Sequence, residues 1–127
     1  MNLEILIAED NPVNQFLVTR MLERRGYTYR VTANGRELLE AFRENQPSLI
    51  LMDVQMPEID GLTATKEIRK LEEQGGTRVT IIAITARALA GDAQMCLDAG
   101  MDDYISKPIR LEILSDKLAQ WLPKRAA

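Results

Sequence analysis

Five short apolar runs alternate with five longer segments of helical spacing, and this alternation limits the fold more than any other feature of the chain. The apolar runs predict strands over residues 3–8, 27–32, 48–52, 79–84 and 102–106. The segments between them predict helices over residues 12–25, 36–45, 62–73, 88–99 and 109–122. Almost continuously apolar strands are typical of a parallel sheet that is buried on both faces. With right-handed crossovers, the pattern predicts a doubly wound α/β fold with five helices around the sheet.

The length of 127 residues suits one domain, which we expect over residues 1–122, with a tail or the start of a linker over 123–127. The first apolar run does not resemble a signal peptide, because Glu4 interrupts it and Glu9 and Asp10 follow it. No apolar run is long enough to span a bilayer. We therefore expect a cytoplasmic location, with a membrane tether only through a sensor kinase in a longer protein.

Histidine is absent from the chain and Cys96 is its one cysteine, which excludes several kinds of site. Without histidine, the chain can form neither a Ser-His-Asp nor a Cys-His nucleophilic site, nor a phosphohistidine of its own. A single cysteine excludes an internal disulfide and fits a reducing compartment. The 16 basic and 19 acidic residues give a net charge of -3, so we expect no direct contact with nucleic acid or with a membrane. Any chemistry must therefore come from carboxylates, lysine, hydroxyls, backbone groups or a hard metal.

Polar residues follow four of the predicted strands. Glu9 and Asp10 follow the first strand, Asp53 the third, Thr85 the fourth and Lys107 the fifth. In the flavodoxin-like strand order 2-1-3-4-5, these residues meet at the edge where doubly wound folds bind ligands. Each alone is more often a helix cap or a solvated turn residue, but their coincidence at four strand ends favours a site. Three carboxylates indicate Mg²⁺ or Mn²⁺, and a carboxylate beside an ammonium can attack or hold a phosphoryl group.

The motifs at these strand ends have a characteristic order and spacing. They are Glu9-Asp10-Asn11, residues 52–57, Asp60-Gly61, Thr85-Ala86 and residues 104–108. In this pattern, over essentially its whole length, the chain resembles the receiver domains of two-component response regulators. Residues 8–15 and 52–61 resemble the receivers of hybrid sensor histidine kinases in particular.

The resemblance implies a phosphorylation site and a metal site. Asp53 would accept a phosphoryl group and form an aspartyl phosphate. Glu9, Asp10 and Asp53 would hold Mg²⁺ together with the backbone carbonyl of Gln55. The phosphohistidine donor would belong to a partner, either a histidine kinase or a histidine phosphotransfer domain.

The resemblance also assigns roles to residues near the phosphoryl group. Lys107, Thr85 and Ala86 would contact that group. Tyr104 would be an aromatic switch that turns inward when Thr85 moves, and the bond before Pro108 would be cis. The domain would therefore change its surface on phosphorylation or pass the phosphate on.

Three other functions fit the fold less well. A phosphatase of the haloacid-dehalogenase type needs a second acid two residues after its nucleophile, where this chain has Gln55. A flavin module needs a glycine- and hydroxyl-rich loop after the first strand, where this chain has Glu9-Asp10-Asn11-Pro12. A scaffold that works without phosphorylation typically lacks an acid, the acceptor or the lysine, and all are present here. We therefore expect a signalling module rather than an enzyme.

The first predicted helix has apolar residues on two sides. Val18 belongs to its core stripe, and Phe16 lies about 200° away from it, with Val13 and Leu17 between the two. One explanation is that Phe16 folds over a neighbouring loop. The other is that Val13, Phe16 and Leu17 form a docking patch beside Asp53 for a helix of the phosphodonor.

Three further expectations concern packing. Met95 and Cys96 are predicted to lie in the core. Gly61 is predicted to adopt a positive φ. The spacing of the apolar residues in the last helix predicts a buried stripe formed by Leu111, Leu114, Leu118 and Trp121.

Overall fold

A computed structural model describes residues 3–56, 58–86 and 90–122, apart from the side chains of Ala90 and Asp92. The strands are β1 (Ile5–Ala8), β2 (Tyr29–Thr32), β3 (Leu49–Asp53), β4 (Thr80–Thr85) and β5 (Asp103–Ser106). The helices are α1 (Pro12–Arg24), α2 (Gly35–Glu44), α3 (Gly61–Glu73), α4 (Ala90–Ala99) and α5 (Leu111–Trp121). The predicted tail at 123–127, the predicted helix start at Ala88 and the motif residue Pro57 lie outside the described residues.

The five strands form one sheet in the order β2-β1-β3-β4-β5, and every neighbouring pair is parallel. This confirms the predicted doubly wound α/β fold and its strand order. All residues of β1 and β3 are buried, as expected for strands that have helices on both faces of the sheet. The register pairs Asp53, the last residue of β3, with Ile84 of β4. Asp53 therefore belongs to the strand rather than to the loop after it.

Alternate residues of the strands point into two apolar clusters, one on each face of the sheet. Leu6 and Ile50 pack with α2 and α3, whereas Ile5 and Leu49 pack with α1 and α5. Full burial of a side chain of this size contributes roughly 1.5–3 kcal/mol relative to exposure. The two clusters together fix the strand ends that carry the polar residues.

Capping residues set the starts of two helices. The carboxamide oxygen of Asn34 accepts a hydrogen bond from the backbone N–H of Glu37 at 2.8 Å. A carboxylate oxygen of Asp60 accepts one from the backbone N–H of Thr63 at 2.8 Å. Gly35 is therefore the first residue of α2 rather than part of a turn, and α3 begins one residue earlier than predicted.

Two of the predicted core positions are wrong. Met95 is 54% exposed, because the buried stripe of α4 is formed by Ala93, Cys96 and Ala99 at a spacing of three. Leu111 is 39% exposed, since it is the first residue of α5 and lies at the end of the helix's buried stripe. The predicted burial of Cys96 is confirmed. Among the described helices, none combines the length and the apolar character that crossing a bilayer requires.

Candidate functional site

The carboxyl ends of β1 and β3 bring three carboxylates together. Oxygen atoms of Glu9, Asp10 and Asp53 all lie within 4.8 Å of one another. Glu9 and Asp53 are buried, whereas Asp10 is exposed. Neighbouring buried carboxylates repel each other unless a cation or a proton reduces their charge. All three acids predicted from the sequence therefore meet at one site.

Each carboxylate oxygen of Asp53 accepts a hydrogen bond. Oδ2 accepts one from Nζ of Lys107 at 2.9 Å, and Oδ1 accepts one from the backbone N–H of Gln55 at 3.0 Å. Partial burial lowers the pKa of Lys107, but the hydrogen bond to Asp53 and the charges of Asp53, Glu9 and Asp10 outweigh it, so the pKa is raised. Lys107 is therefore a fixed cation beside the buried carboxylate.

Glu9 is held by the first turn of α1. Its Oε2 accepts a hydrogen bond from the Asn11 N–H at 3.1 Å, and its Oε1 lies 3.4 Å from the side-chain nitrogen of Asn14. Burial raises the pKa of Glu9 to about 7; the Asn11 hydrogen bond lowers it and the neighbouring Asp53 carboxylate adds to the rise. In addition, the side-chain amide of Gln15 donates to the backbone carbonyl of Glu9. The only sequence signal for these contacts is the position of Asn11, Asn14 and Gln15 at the start of a helix.

The ends of β4 and β5 place the other predicted residues at the same edge of the sheet. Thr85, the last residue of β4, is buried, and its carbonyl accepts a hydrogen bond from the Lys107 N–H at 2.8 Å. Ala86 follows it and is exposed. The Lys107-Pro108 peptide bond is cis. Tyr104 lies on β5 opposite Ala83, and its half-buried ring packs against the cluster on the α2 and α3 face.

Gly61 is required for a different reason from the one predicted. Its φ is not positive; the described non-glycine residue with a positive φ is Glu58, at 68°. A Cβ atom on Gly61 would lie 2.4 Å from the backbone oxygen of Asp53 and 2.9 Å from Cα of Val54. The Gly61 N–H also donates to the Val54 carbonyl at 2.9 Å. Glycine thus allows the start of α3 to approach the end of β3, where it supports the Asp53 backbone.

An open cleft of about 770 Å³ borders the acids. Its walls include Asp10, Pro12, Gln55, Asp60 and Lys107. Lys107, whose ammonium pairs with the buried Asp53 carboxylate, therefore faces a space large enough for a phosphorylated group. Since Pro12 is the first residue of α1, that helix begins at the wall of the cleft.

The outer face of α1 is exposed next to this cleft. Val13 is 66% exposed and Phe16 is 59% exposed, while Leu17 is half-buried. The Phe16 ring lies 5.3 Å from the guanidinium carbon of Arg20. The Phe16 side chain is therefore largely exposed to solvent, with the Arg20 guanidinium over its ring, and does not fold over a loop.

A comparison with protein families matches nearly the whole chain to one of them. The response regulator receiver domain family matches residues 5–119. The chain belongs to this family. Its five-stranded parallel sheet and the order of its strands agree with solved receivers, such as a CheY-like receiver domain protein from Methanospirillum hungatei at 25% identity and a TM-score of 0.84.

The curated relatives of this receiver are much longer histidine kinases. Probable histidine kinase 1 of Oryza sativa is 39% identical over 94% of this chain, which corresponds to 15% of that protein. The Pseudomonas protegens sensor histidine kinase GacS is 39% identical over 92% of this chain and 13% of its own length. The receiver thus spans less than a fifth of the length of these relatives.

Two solved structures resemble the receiver over nearly its whole length. One is the Saccharomyces cerevisiae complex of the phosphotransfer protein Ypd1 with the receiver domain of Ssk1, at 33% identity and a TM-score of 0.92, covering 99% of this chain and 92% of that one. The other is the receiver domain of a Pseudomonas aeruginosa sensor histidine kinase, with a magnesium ion in its active site cleft. It is 42% identical, with a TM-score of 0.85, and covers 97% of this chain and 99% of that one.

Proposed function

We propose that the chain is the phosphoacceptor of a two-component phosphorelay and that Asp53 accepts the phosphoryl group. The observation that carries this proposal is the buried Asp53 carboxylate, which pairs with Lys107 at 2.9 Å. Its neighbours Gln55 and Lys107 line the cleft. A carboxylate oxygen would form a bond to phosphorus while the bond between phosphorus and the donor imidazole breaks. The imidazole, which carries a proton on its other ring nitrogen, keeps the electrons of the broken bond and leaves as the neutral base. The product is an aspartyl phosphate.

The donor set at the site fits Mg²⁺ or Mn²⁺. Three carboxylates whose oxygens lie within 4.8 Å of one another supply hard oxygen ligands and an excess of negative charge. Glu9, Asp10, Asp53 and the backbone carbonyl of Gln55 would hold the ion. When bound, such an ion neutralises charge on the phosphoryl oxygens. The magnesium ion in the similar Pseudomonas aeruginosa receiver supports this assignment.

Three residues would hold the phosphoryl oxygens on this chain. The Lys107 ammonium is already beside Asp53, so it would move little to pair with a phosphoryl oxygen. The Thr85 hydroxyl and the Ala86 backbone N–H would donate to the other oxygens after a shift of the loop that follows β4. These contacts would position the group for transfer and delay its loss to water.

Tyr104 would report phosphorylation to the surface. Its ring is half-buried at the edge of the sheet that also carries Thr85. A phosphoryl group adds about two negative charges, which is enough to bias an element that has two arrangements. We infer that movement of Thr85 toward the phosphoryl group lets the Tyr104 ring turn inward.

The phosphodonor would be a histidine kinase or a histidine phosphotransfer domain. The exposed Val13 and Phe16, together with Leu17, would form its docking patch, because α1 begins at the wall of the cleft. The complex of Ypd1 with the similar Ssk1 receiver supports a partner of this kind. The likeness to histidine kinases supports a place within a hybrid kinase. A chain with one cysteine, the buried Cys96, fits the cytoplasmic location that we propose.

We infer that the chain does not turn over an external substrate. A phosphatase that acts through an aspartyl phosphate needs a general acid close to the acceptor. Two residues after Asp53 the chain has Gln55, whose backbone N–H is used to hold the acceptor carboxylate. The chain would therefore assist only its own phosphorylation and dephosphorylation.

Incubation with acetyl phosphate and Mg²⁺, followed by intact mass measurement, tests the function. We expect a mass gain of one phosphoryl group that requires Mg²⁺ and is absent from the Asp53→Asn variant. Asp60→Asn is the matched control, because Asp60 lines the same cleft as an exposed helix cap. An unchanged mass for the wild-type chain, or equal labelling of Asp53→Asn, would overturn the proposal.

A further inference from the structure

The loop between β3 and α3 contacts the acceptor carboxylate at one end and helix α2 near the other. At its first end, Gln55 lines the cleft and donates its backbone N–H to Oδ1 of Asp53 at 3.0 Å. Near its second end, the backbone of Ile59 lies against Gly35, the first residue of α2. The loop thus connects the acceptor with a helix that does not line the cleft.

Gly35 is a glycine because a side chain would not fit at its position. A Cβ atom on Gly35 would lie 2.2 Å from the backbone oxygen of Ile59 and 2.8 Å from the Cβ of that residue. The backbone conformation does not call for glycine, since Gly35 is helical and its φ is not positive. A helix also favours alanine over glycine. The missing side chain is therefore explained by the close approach of the loop.

The first turn of α2 is held in place by its own hydrogen bonds. The side-chain oxygen of Asn34 accepts the backbone N–H of Glu37 at 2.8 Å, and a carboxylate oxygen of Glu37 accepts the backbone N–H of Ala33 at 3.1 Å. Leu38, which follows at once, is fully buried in the core. An additional atom on Gly35 would therefore displace the loop rather than the helix.

The loop has an unfavourable backbone conformation next to this contact. Glu58 has a φ of 68°, a left-handed conformation that residues other than glycine rarely adopt. The ion pair of Glu58 with Arg36, at 3.7 Å, is exposed and contributes little to holding it. The Gly61 N–H closes the loop by donating to the Val54 carbonyl at 2.9 Å. We expect the contact with Gly35 to supply the rest of the constraint that keeps the loop in this shape.

We propose that Gly35 and Glu58 are positioning residues for the metal and acceptor site and act through this loop. The contact of Gly35 with Ile59 and the left-handed conformation of Glu58 set where the loop places the backbone of Gln55. That backbone holds the Asp53 carboxylate through its N–H and offers its carbonyl to Mg²⁺. The inference rests on the metal site of the proposed function. It adds that the first turn of α2, outside the cleft, sets the affinity of that site.

The first test adds a methyl group at Gly35 and measures Mg²⁺ binding by calorimetry. We expect Gly35→Ala to bind Mg²⁺ about tenfold more weakly than the wild-type chain, because a shifted loop misplaces a ligand. Phe42→Leu is the control, since Phe42 is buried on the same helix about two turns farther along. It should lower the midpoint of urea unfolding but bind Mg²⁺ like the wild-type chain. A Gly35→Ala variant that loses stability but keeps the wild-type Mg²⁺ affinity would overturn the inference.

The second test changes the loop and leaves α2 as it is. Glu58→Val places a β-branched residue where φ is 68°, which forces the loop out of its shape. Glu58→Gly loses the same charge and the same contact with Arg36, but glycine accepts a positive φ. We expect about tenfold weaker Mg²⁺ binding for Glu58→Val and the wild-type affinity for Glu58→Gly. Equal affinities for these two variants would overturn the inference, and this pair decides if Gly35→Ala does not fold.

Labelling by acetyl phosphate separates the inference from the proposed function. In Gly35→Ala and Glu58→Val, the labelling rate should reach half of its maximum at an Mg²⁺ concentration about tenfold higher than in the wild-type chain. A wild-type chain that binds Mg²⁺ but is never labelled would contradict the proposed function, while the affinities of the variants would still decide the inference. A wild-type chain that does not bind Mg²⁺ would overturn the inference itself.

Discussion

The ammonium nitrogen of Lys107 lies 2.9 Å from Oδ2 of Asp53, whose side chain is 1% exposed. The contact joins residues 54 positions apart and connects the end of β3 with the loop after β5. A buried carboxylate with two acidic neighbours needs a nearby cation, and Lys107 is the cation that this chain supplies. The Asp53 carboxylate is therefore held in place by its own protein before a phosphoryl group or a metal binds.

The Lys107→Met variant removes the positive charge beside Asp53 but keeps a side chain of similar length. It therefore separates the role of the charge from the packing of the side chain. The variant leaves Asp53 without its cation, so we expect acetyl phosphate labelling to slow about 100-fold, the usual cost of one lost electrostatic contact at a reacting group. We also expect a loss of about 2 kcal/mol in the free energy of urea unfolding, since a buried charge becomes unpaired. Lys66→Met, at an exposed position of α3, is the control. Similar labelling rates for the two variants would contradict this role.

The raised pKa of Glu9 predicts a pH dependence of metal binding. Glu9 has a folded pKa of about 7 against an ordinary value of 4.5, so between these values the folded protein holds a proton that the unfolded chain has lost. Metal-free stability should therefore fall as pH rises from 4.5 to 7, and Mg²⁺ must displace this proton. We expect the apparent Mg²⁺ affinity to drop about fivefold from pH 7 to pH 6.

Calorimetric titration with Mg²⁺ at several pH values checks this expectation. In the Glu9→Gln variant, the metal-free unfolding free energy should no longer fall between pH 4.5 and 7. An Mg²⁺ affinity that is the same at pH 7.5 and pH 5.5 would show that Glu9 does not carry the proton.

The contact between Asp103 and Trp121 predicts a second pH dependence of stability, which does not involve the cluster of three carboxylates. The indole N–H of Trp121 and the ammonium of Lys117 each donate to Asp103 at 2.9 Å. Burial raises the pKa of Asp103, but these bonds and the Tyr104 N–H outweigh it and hold the pKa below 3.8. The ionised carboxylate therefore stabilises the fold above about pH 3.8, and this contribution is lost as pH falls through the lowered pKa.

Asp103→Asn should lower the unfolding free energy at pH 7 by about 1–2 kcal/mol, and the difference from wild type should shrink progressively as pH falls below about 3.8. Trp121 is the single tryptophan of the chain, so its fluorescence follows the docking of α5 on β5 directly. Asp116→Asn, at an exposed position on the same helix, is the control. A stability difference that persists unchanged at pH 3 would rule out this account.

Two glycines offer opposite outcomes for the same substitution. Gly61→Ala places a methyl group 2.4 Å from the Asp53 backbone oxygen, so we expect a loss of roughly 2–3 kcal/mol and slower labelling of Asp53. Gly91 is exposed, and among the described residues a Cβ there would meet no atom within 4 Å beyond its chain neighbours and its own helix backbone. Gly91→Ala should therefore be neutral or stabilise α4 by up to about 1 kcal/mol. Thermal unfolding measures the change in stability of both variants. Equal changes would contradict the explanation that Gly61 is required because α3 approaches the Asp53 backbone closely.

The sequence predicted the fold and the edge of the sheet at which the acids meet, because both follow from simple periodicities. Leu6, Ile50 and Ile82 belong to runs that are almost continuously apolar, which is typical of strands with helices on both faces. Once the strands are parallel, residues that follow them meet at one edge. Glu9 and Asp53 are therefore brought together by topology, without any pairing signal in the sequence.

Other features could not be predicted, because they depend on distances between elements. Helical periodicity placed Leu111 and Met95 on apolar faces, but it does not say how far the neighbouring elements extend over them. The close approach of Gly61 to Asp53 and a positive φ both call for glycine, so the sequence alone could not separate them. The pairing of Asp103 with Trp121 joins residues that no local pattern connects.

Borohydride reduction of the phosphorylated chain tests the central claim most directly. The hydride reduces an acyl phosphate to an alcohol, so the modified residue can be located by peptide mass spectrometry. After treatment with acetyl phosphate and Mg²⁺, we predict the alcohol at position 53 and at no other acidic residue. Reduction at Glu9, Asp10 or another carboxylate, or a stably phosphorylated chain without any reducible residue, would contradict the assignment of Asp53 as the phosphoacceptor.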